Sequence, residues 1–552
     1  MICISTFFGR ILKTQRGITS LNIYDMSNIR SFNMKRFFHF LLALIVIASL
    51  FGIHINTPPV SHAQSVSSAS IEWLEKCQFD QVFLAPDIET VGETLICGNL
   101  ITRENPNDPQ SLEIKIAFTI LFAQTPTPEA DPIVYLEGGP GGSALFNLDP
   151  WVTSPLRAKR DIILLDQRGT GYSQPTLSCY YYDEGYDGTQ EAMRRCIASI
   201  EASGADIGNY NTINNAHDVM ELLTLLQSEQ GYTTYNLLGI SYGTRLALAV
   251  MRDYPQLVRS AILDSVYPQA VDAYGELAIN AQSALDALFD ACERDAECNS
   301  AYPNLEQVFY EVVEELNADP IEGAYDGSAF IDDMFSALYD VNLVKVLPAV
   351  IYLYQRGDWE EADEYFYNGL PEESSDYADY YDAYDPDLTD LYFTAFDQLS
   401  DSEGMFMALE CQEEAYFSSY DEAVRITENS DIDPLVADSQ LLSAEITYQD
   451  CALWVDTPAP PIANERIYSD VPTLLVSGEF DPITPPRWAA FAAETLPNSY
   501  NFVFPSFGHG LTDGHPCIIS VFEAFLADPT SEPDASCRAE MRTEWFIHPD
   551  FG

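Results

Sequence analysis

The chain has 552 residues, with 26 Lys and Arg against 85 Asp and Glu, a formal net charge of −59. No basic footprint exists to neutralise phosphates, so nucleic acid is excluded as a natural partner. Hydrophobic residues make up 47%, which describes a globular chain and not a disordered acidic tail; so acidic a surface suits high salt or an acidic exterior and attracts cationic ligands.

At the start, Lys35-Arg36 precede an apolar run from Phe37 to Ile55, followed by Pro58-Pro59 and Ser61-His62-Ala63. Basic, apolar and small-x-small segments in that order predict a secretory signal cleaved after Ala63, with export and no stable membrane association afterwards. An uncleaved anchor is the alternative, since the run approaches the length of a span; the prolines and the cleavage pattern favour removal. Residues before Met34 read as an upstream extension. Without residues 1–63 the balance is 20 basic against 84 acidic, a net of −64. Of the eleven cysteines, Cys3 leaves with that segment, and an even ten in an exported chain argue for disulfides. Taking sequence neighbours pairs Cys77 with Cys97, Cys179 with Cys196, Cys292 with Cys298, Cys411 with Cys451 and Cys517 with Cys537, although spacing alone leaves the connectivity open. Zinc is disfavoured, because neither Cys-x-x-Cys nor clustered Cys/His spacing occurs.

Leu112 to Phe122 alternates as a strand. Ile133 to Leu136 is a short buried one, ending in Glu137-Gly138-Gly139-Pro140-Gly141-Gly142-Ser143. Such glycines let the backbone pass close to a reacting group with N–H groups aimed at it; a glycine-rich surface turn is the bland alternative. Asp161 to Asp166 is another buried strand, followed by Gln167-Arg168-Gly169-Thr170-Gly171-Tyr172-Ser173. His217-Asp218 lies in a helical stretch that packs ahead of Tyr235-Asn236-Leu237-Leu238-Gly239-Ile240-Ser241-Tyr242-Gly243-Thr244-Arg245. Apolar residues running into Gly-x-Ser-x-Gly and then a small-residue segment predict a strand, a sharp turn and a helix. Gly239 and Gly243 flank a strained serine whose oxygen stands exposed. Arg259 to Asp264 is a further core strand.

From about Gln269 to Arg466 the pattern turns helical, as in Leu277, Ala281, Leu285, Leu288 and Phe289. Leu343 to Leu353 reads as a helix that Pro348 starts or kinks. The acidic, tyrosine-rich stretch 377–392 reads as a solvated loop, with a peptide-gripping surface as the alternative. Thr473 to Pro485 reopens the core with a strand and a turn carrying Asp481. Asn501 to Phe504 is the last strand, and Phe507-Gly508-His509-Gly510 follows it.

Three motifs in this order, Gly-Gly-Pro-Gly-Gly, Asp-Gln-Arg-Gly-Thr-Gly-x-Ser and Gly-Ile-Ser-Tyr-Gly-Thr, resemble the prolyl aminopeptidase and tripeptidyl aminopeptidase family of α/β-hydrolases. Segment 471–510 resembles the C-terminal region of tripeptidyl aminopeptidases. The likeness covers most of 80–268 and 466–540. It implies an α/β-hydrolase fold, a mostly parallel sheet flanked by helices: 64–268 and 466–552 form the core and 269–465 a mostly helical cap. Ser241, Asp481 and His509 then stand in the α/β-hydrolase order. His39, His54 and His62 leave with the signal, His217 precedes the serine, and His515 and His548 do not directly follow a core strand. Asp264 also ends a strand and is the rival acid; Asp481 matches the family pattern. Asp166 and Arg168 resemble the family's structural turn.

The backbone N–H groups of Gly139 and Tyr242 would hold an oxyanion, and the mechanism requires no metal or cofactor. In Glu410-Cys411-Gln412-Glu413-Glu414, the acid beside a cap cysteine looks like the family's amine anchor. Glu413 is the best match, with Glu410 nearby. Glu137 stands where prolyl aminopeptidases have histidine, a departure that supplies a second carboxylate or puts one-residue release in doubt. The expectation is a secreted serine peptidase releasing one to three residues from peptide N-termini. A carboxylesterase or other small-molecule hydrolase is the alternative, and a noncatalytic binding protein the remote third.

Overall fold

Nine strands form one sheet: β1 (Ser70–Leu74), β2 (Leu95–Arg103), β3 (Glu113–Leu121), β4 (Ile133–Leu136), β5 (Ile162–Leu165), β6 (Tyr235–Ile240), β7 (Val258–Asp264), β8 (Thr473–Gly478) and β9 (Ser499–Phe504). Their order is β1-β2-β3-β5-β4-β6-β7-β8-β9. The first three strands and β5 pair antiparallel; from β5 through β4 to β9 every pairing is parallel. This computed structural model describes residues 69–79, 89–179, 190–370, 399–454, 457–512 and 515–552. Residues 1–63, expected to be an export signal, and the tyrosine-rich stretch 377–392 lie outside the described residues.

Every residue of β4, β5 and β8 is buried, as parallel strands covered by helices on both faces require. Helices α1 (Thr212–Glu229) and α2 (Tyr242–Asp253) pack on one face with Leu222, Leu226, Leu246 and Val250; Trp151, Ile518, Phe522 and Phe525 cover the other. Between β7 and β8 the described residues form helices and no strand of the sheet. This insertion includes α3 (Gly327–Ala337), α4 (Leu347–Arg356), α5 (Glu403–Glu410) and α6 (Pro434–Trp454). Its own apolar centre holds Leu288, Phe309, Phe330, Met334 and Leu353. Pro348 sits in the first turn of α4, where its missing N–H has no intrahelical partner to lose. All five neighbour pairs of cysteines are bonded.

Strand β2 carries no sequence expectation of its own. Its alternation breaks at Cys97-Gly98, and a Cβ on Gly98 would lie 2.7 Å from the Phe118 ring of β3. A glycine inside a strand marks such a close approach.

The turn after β5 is a buried polar joint. Asp166 accepts from the Ser143 hydroxyl (2.9 Å) and from the N–H groups of Leu145 (3.0 Å) and Tyr172 (2.8 Å). Burial pushes its carboxyl up to about 6. Arg168 grips Asp218 of α1 through Nε (2.8 Å) and Nη2 (2.7 Å), and its Nη1 donates to the carbonyls of Asn209 and Glu104. Both side chains of the pair are fully enclosed, so removing one leaves the other charge buried alone. Arg168→Met is therefore expected to cost about 3–5 kcal/mol of stability, read as a lowered denaturation midpoint. A loss under about 1 kcal/mol, the scale of an exposed pair, would contradict this.

Candidate active site

Ser241 joins β6 to α2 with φ 54° and ψ −124°, a conformation disfavoured for any residue bearing a side chain. Its neighbours hold it there. A Cβ on Gly239 would collide with the Gly243 carbonyl, and one on Gly243 with the Leu136 carbonyl of β4. The Ser241 N–H donates to the Asp264 carbonyl at 2.9 Å, and Ser241 caps α2 without using its hydroxyl. The serine oxygen is thus not consumed by the helix it begins.

Two strands away, β8 runs into a turn in which Asp481 Oδ1 accepts the N–H groups of Ile483 (3.1 Å) and Thr484 (2.8 Å). Its Oδ2 accepts the Thr484 hydroxyl (2.8 Å) and lies 2.9 Å from His509 Nδ1. Asp481 is 1% exposed and His509 7%. With Nδ1 occupied by Asp481 and by Thr484 Oγ1 at 3.1 Å, Nε2 is the ring nitrogen left for chemistry. Asp264, the rival acid, holds the histidine loop by its backbone: its Oδ2 accepts the Leu511 N–H (2.7 Å), while Ser265 Oγ accepts the Gly510 N–H (2.9 Å). Burial pushes the Asp264 carboxyl up to about 7. Asp264 therefore joins the Ser241 turn to the His509 loop, its carbonyl on one and its carboxyl on the other.

The glycine loop after β4 passes beside the serine, and a Cβ on Gly138 would lie 3.0 Å from Ser241 Cβ. Gly139 has φ 110° and is exposed. Tyr242 is the first residue of α2, so its N–H is one of the donors a helix leaves unpaired. Residues 400–402 of the insertion brace the loop: Ser143 N–H donates to the Ser400 carbonyl (3.0 Å) and Ser402 N–H to the Gly141 carbonyl (2.9 Å). Half-buried Glu137 accepts from Tyr135 Oη (3.0 Å) and the Gly138 N–H (2.9 Å), and burial raises its carboxyl above the ordinary range.

The cap glutamates are buried. Glu413 is 2% exposed. Its Oε1 accepts the Thr212 N–H (2.6 Å) at the start of α1; its Oε2 accepts the Thr212 hydroxyl (2.7 Å) and faces Arg245 Nε (3.3 Å). Arg245 also pairs with Glu414 at 2.8 Å and lies over the Tyr267 ring. Expected to meet a substrate amine, Glu413 instead spends its oxygens on a helix N-terminus and a buried guanidinium. Glu410 and Glu414 are buried with it, and burial first, then their mutual repulsion, pushes Glu410 up; burial, opposed by Arg245, pushes Glu414 up. Among the described residues, no three of His, Cys, Asp and Glu gather as metal ligands would.

Thr484, Ser265 and the 400–402 brace went unread in the sequence, which offers Asp264 only as a rival acid and not as the acceptor of the Leu511 N–H. Only Thr484 leaves a signal, three residues after an aspartate in a turn, where such side chains bond forward to the backbone. The others act across long separations.

Two outcomes follow. Asp481→Asn is expected to lower kcat by about four orders of magnitude through the wrong histidine tautomer; Asp264→Asn should stay within about tenfold, the weight of one hydrogen bond. The reverse ranking would transfer the acid role. For the buried glutamates the sign is fixed by linkage: with the folded pKa of Glu410 raised, the folded chain holds more protons than the unfolded one, so stability falls as pH rises from the ordinary carboxylate range into neutrality. Glu410 faces Glu414, Glu413, Arg245 and Tyr274. Glu410→Gln should accordingly stabilise the protein by about 1–3 kcal/mol near pH 8 and by much less near pH 5, measured by thermal unfolding. Equal effects at both pH values would contradict the assignment.

A family model described as alpha/beta hydrolase fold matches residues 131–310, and one described as TAP-like protein matches residues 439–537. The chain is 25% identical over 485 residues to serine protease Hip1 of Mycobacterium tuberculosis, covering 82% of this chain and 88% of that one. It is 28% identical over 227 residues to tripeptidyl aminopeptidase of Streptomyces coelicolor, covering 37% and 39%. Proline iminopeptidase of Xanthomonas citri is 27% identical over 166 residues, covering 29% and 41%. Sheet order, elbow and matched segments agree, and the chain is an α/β-hydrolase with a TAP-like C-terminal segment, distantly related to these peptidases.

Proposed function

We propose that this hydrolase is a secreted serine peptidase that cleaves peptide bonds near peptide N-termini, releasing one to three residues through an acyl-enzyme. The observation that carries the reading is the Asp481–His509 contact at 2.9 Å, placed at the same sheet edge as the strained Ser241 turn. In this reading His509 Nε2 takes the Ser241 proton as Oγ attacks the carbonyl, and Asp481 holds the imidazole tautomer and offsets the imidazolium charge. The N–H groups of Gly139 and Tyr242 receive the oxyanion, His509 returns the proton to the leaving amine, and water releases the acyl group.

Peptides are favoured as substrates because Hip1 is named a serine protease and the other two relatives a tripeptidyl aminopeptidase and a proline iminopeptidase. Five disulfides support export to an oxidising compartment. One observation favours the carboxylesterase reading instead: Glu413 and Glu414 are engaged by Arg245 and so are not held ready for a substrate ammonium.

The deciding assay compares free-amine peptide amides, their acetylated forms and simple esters. The peptidase reading expects free-amine peptides to exceed acetylated ones by at least about a hundredfold, the effect of an unpaired buried carboxylate. Equal rates would favour an esterase or endopeptidase. Ser241→Ala should cut kcat by about five to six orders of magnitude on every substrate, and a smaller loss would remove the serine mechanism.

A further inference from the structure

We infer that Tyr339, contributed by the helical insertion, is a positioning residue for His509: its carbonyl fixes the histidine backbone and its ring supports the imidazolium formed in each half-reaction. The inference rests on the proposed serine mechanism.

Helix α3 is capped by Leu338 and followed by Tyr339; the Leu338 N–H is bonded back to Met334 and the Tyr339 N–H to Ser336. The two following carbonyls face the histidine loop. Tyr339 O accepts the His509 N–H at 3.0 Å. A Cβ on Gly508 would collide with the Leu338 carbonyl and lie 2.7 Å from the Tyr339 carbonyl. The Tyr339 ring centroid lies 5.0 Å from that of the imidazole, with the planes at 59°, and Phe335 stands behind it at 5.9 Å.

Asp481 and Thr484 fix the ring through Nδ1, and Ser265 and Asp264 fix the loop at Gly510 and Leu511. None of these restrains the His509 N–H or covers this side of the imidazole; Tyr339 does both. Burial first, and then the Asp481 charge, holds the phenol well above its ordinary value, so the ring meets His509 uncharged. A neutral aromatic ring that presents its face within about 6 Å of a forming cation is attracted to it more than to the neutral base. That difference acts on the transition state and leaves ground-state binding unchanged, which places the effect in kcat.

The test measures kcat and KM for Tyr339→Leu, Tyr339→Phe and Ser241→Ala on whichever peptide or ester the unmutated chain hydrolyses, with thermal unfolding as the check on folding. Tyr339→Leu is expected to lose roughly three- to thirty-fold in kcat, the range of one cation–π contact, with KM within about twofold, and Tyr339→Phe to restore most of it. Should Tyr339→Leu not fold, Tyr339→Met fills similar space without a ring and is read in the same way. Unchanged kcat in the ringless variant, a change confined to KM, or a Tyr339→Phe as slow as Tyr339→Leu would each overturn the inference. Ser241→Ala separates the two failures: an inactive Ser241→Ala beside a fully active Tyr339→Leu removes the Tyr339 role alone, whereas an active Ser241→Ala removes the serine mechanism and the inference with it.

Discussion

The backbone of β6 meets that of β4 and the first turn of α2 so closely that neither Gly239 nor Gly243 has room for a Cβ. That contact fixes where the chain must turn, and so it fixes Ser241 at φ 54°. The strain costs about 1–3 kcal/mol at such a residue, and the buried faces of β4, β6 and α2 over-determine it. A looser turn would let the serine relax into the helix and take its oxygen away from the sheet edge. The rest of the site is arranged around that fixed point: Asp264 ties it to the histidine loop, and the glycine loop lies against it.

Core and insertion build the site together. The core supplies Ser241, Asp481, His509 and the glycine loop. From the insertion, Tyr339 grips His509, and Ser400 and Ser402 brace residues 141–143. The insertion also reaches the helix that Ser241 begins, where Glu413 and Glu414 close on Arg245, one turn after Ser241. Cys411–Cys451 staples this stretch to α6. The insertion is therefore a structural part of the proposed catalytic frame. Even in a chain with a net charge of −59, the buried acids Asp166, Asp218, Asp264 and Glu413 each have named donors, because an unpaired buried charge costs more than folding can carry.

Much of this was legible in the sequence because it depends on local chemistry. Strand β3 announces itself by alternation, β4 to β8 as apolar runs leading into glycine or aspartate, and the elbow by two glycines flanking a serine. The cysteine pairs follow sequence neighbours because each staple closes a short loop. What stayed hidden depends on distance. Glu413 looks like any acid beside a cap cysteine; only the fold shows Thr212 and Arg245, 201 and 168 residues away, filling its coordination. Asp264 and Asp481 both end core strands, and nothing local says which carboxyl faces the imidazole and which faces a backbone N–H. Tyr339 sits in a helical stretch with no chemical signature, and its partner is 170 residues downstream in the chain numbering.

The central claim is that one serine, made reactive by one histidine, stands at this sheet edge. Reaction of the folded protein with a fluorophosphonate, followed by peptide mapping in a mass spectrometer, tests it without knowledge of the substrate. The account predicts a single adduct on Ser241, absent from denatured protein and from His509→Ala. An adduct on a different serine, no adduct at all, or equal labelling of His509→Ala would contradict it.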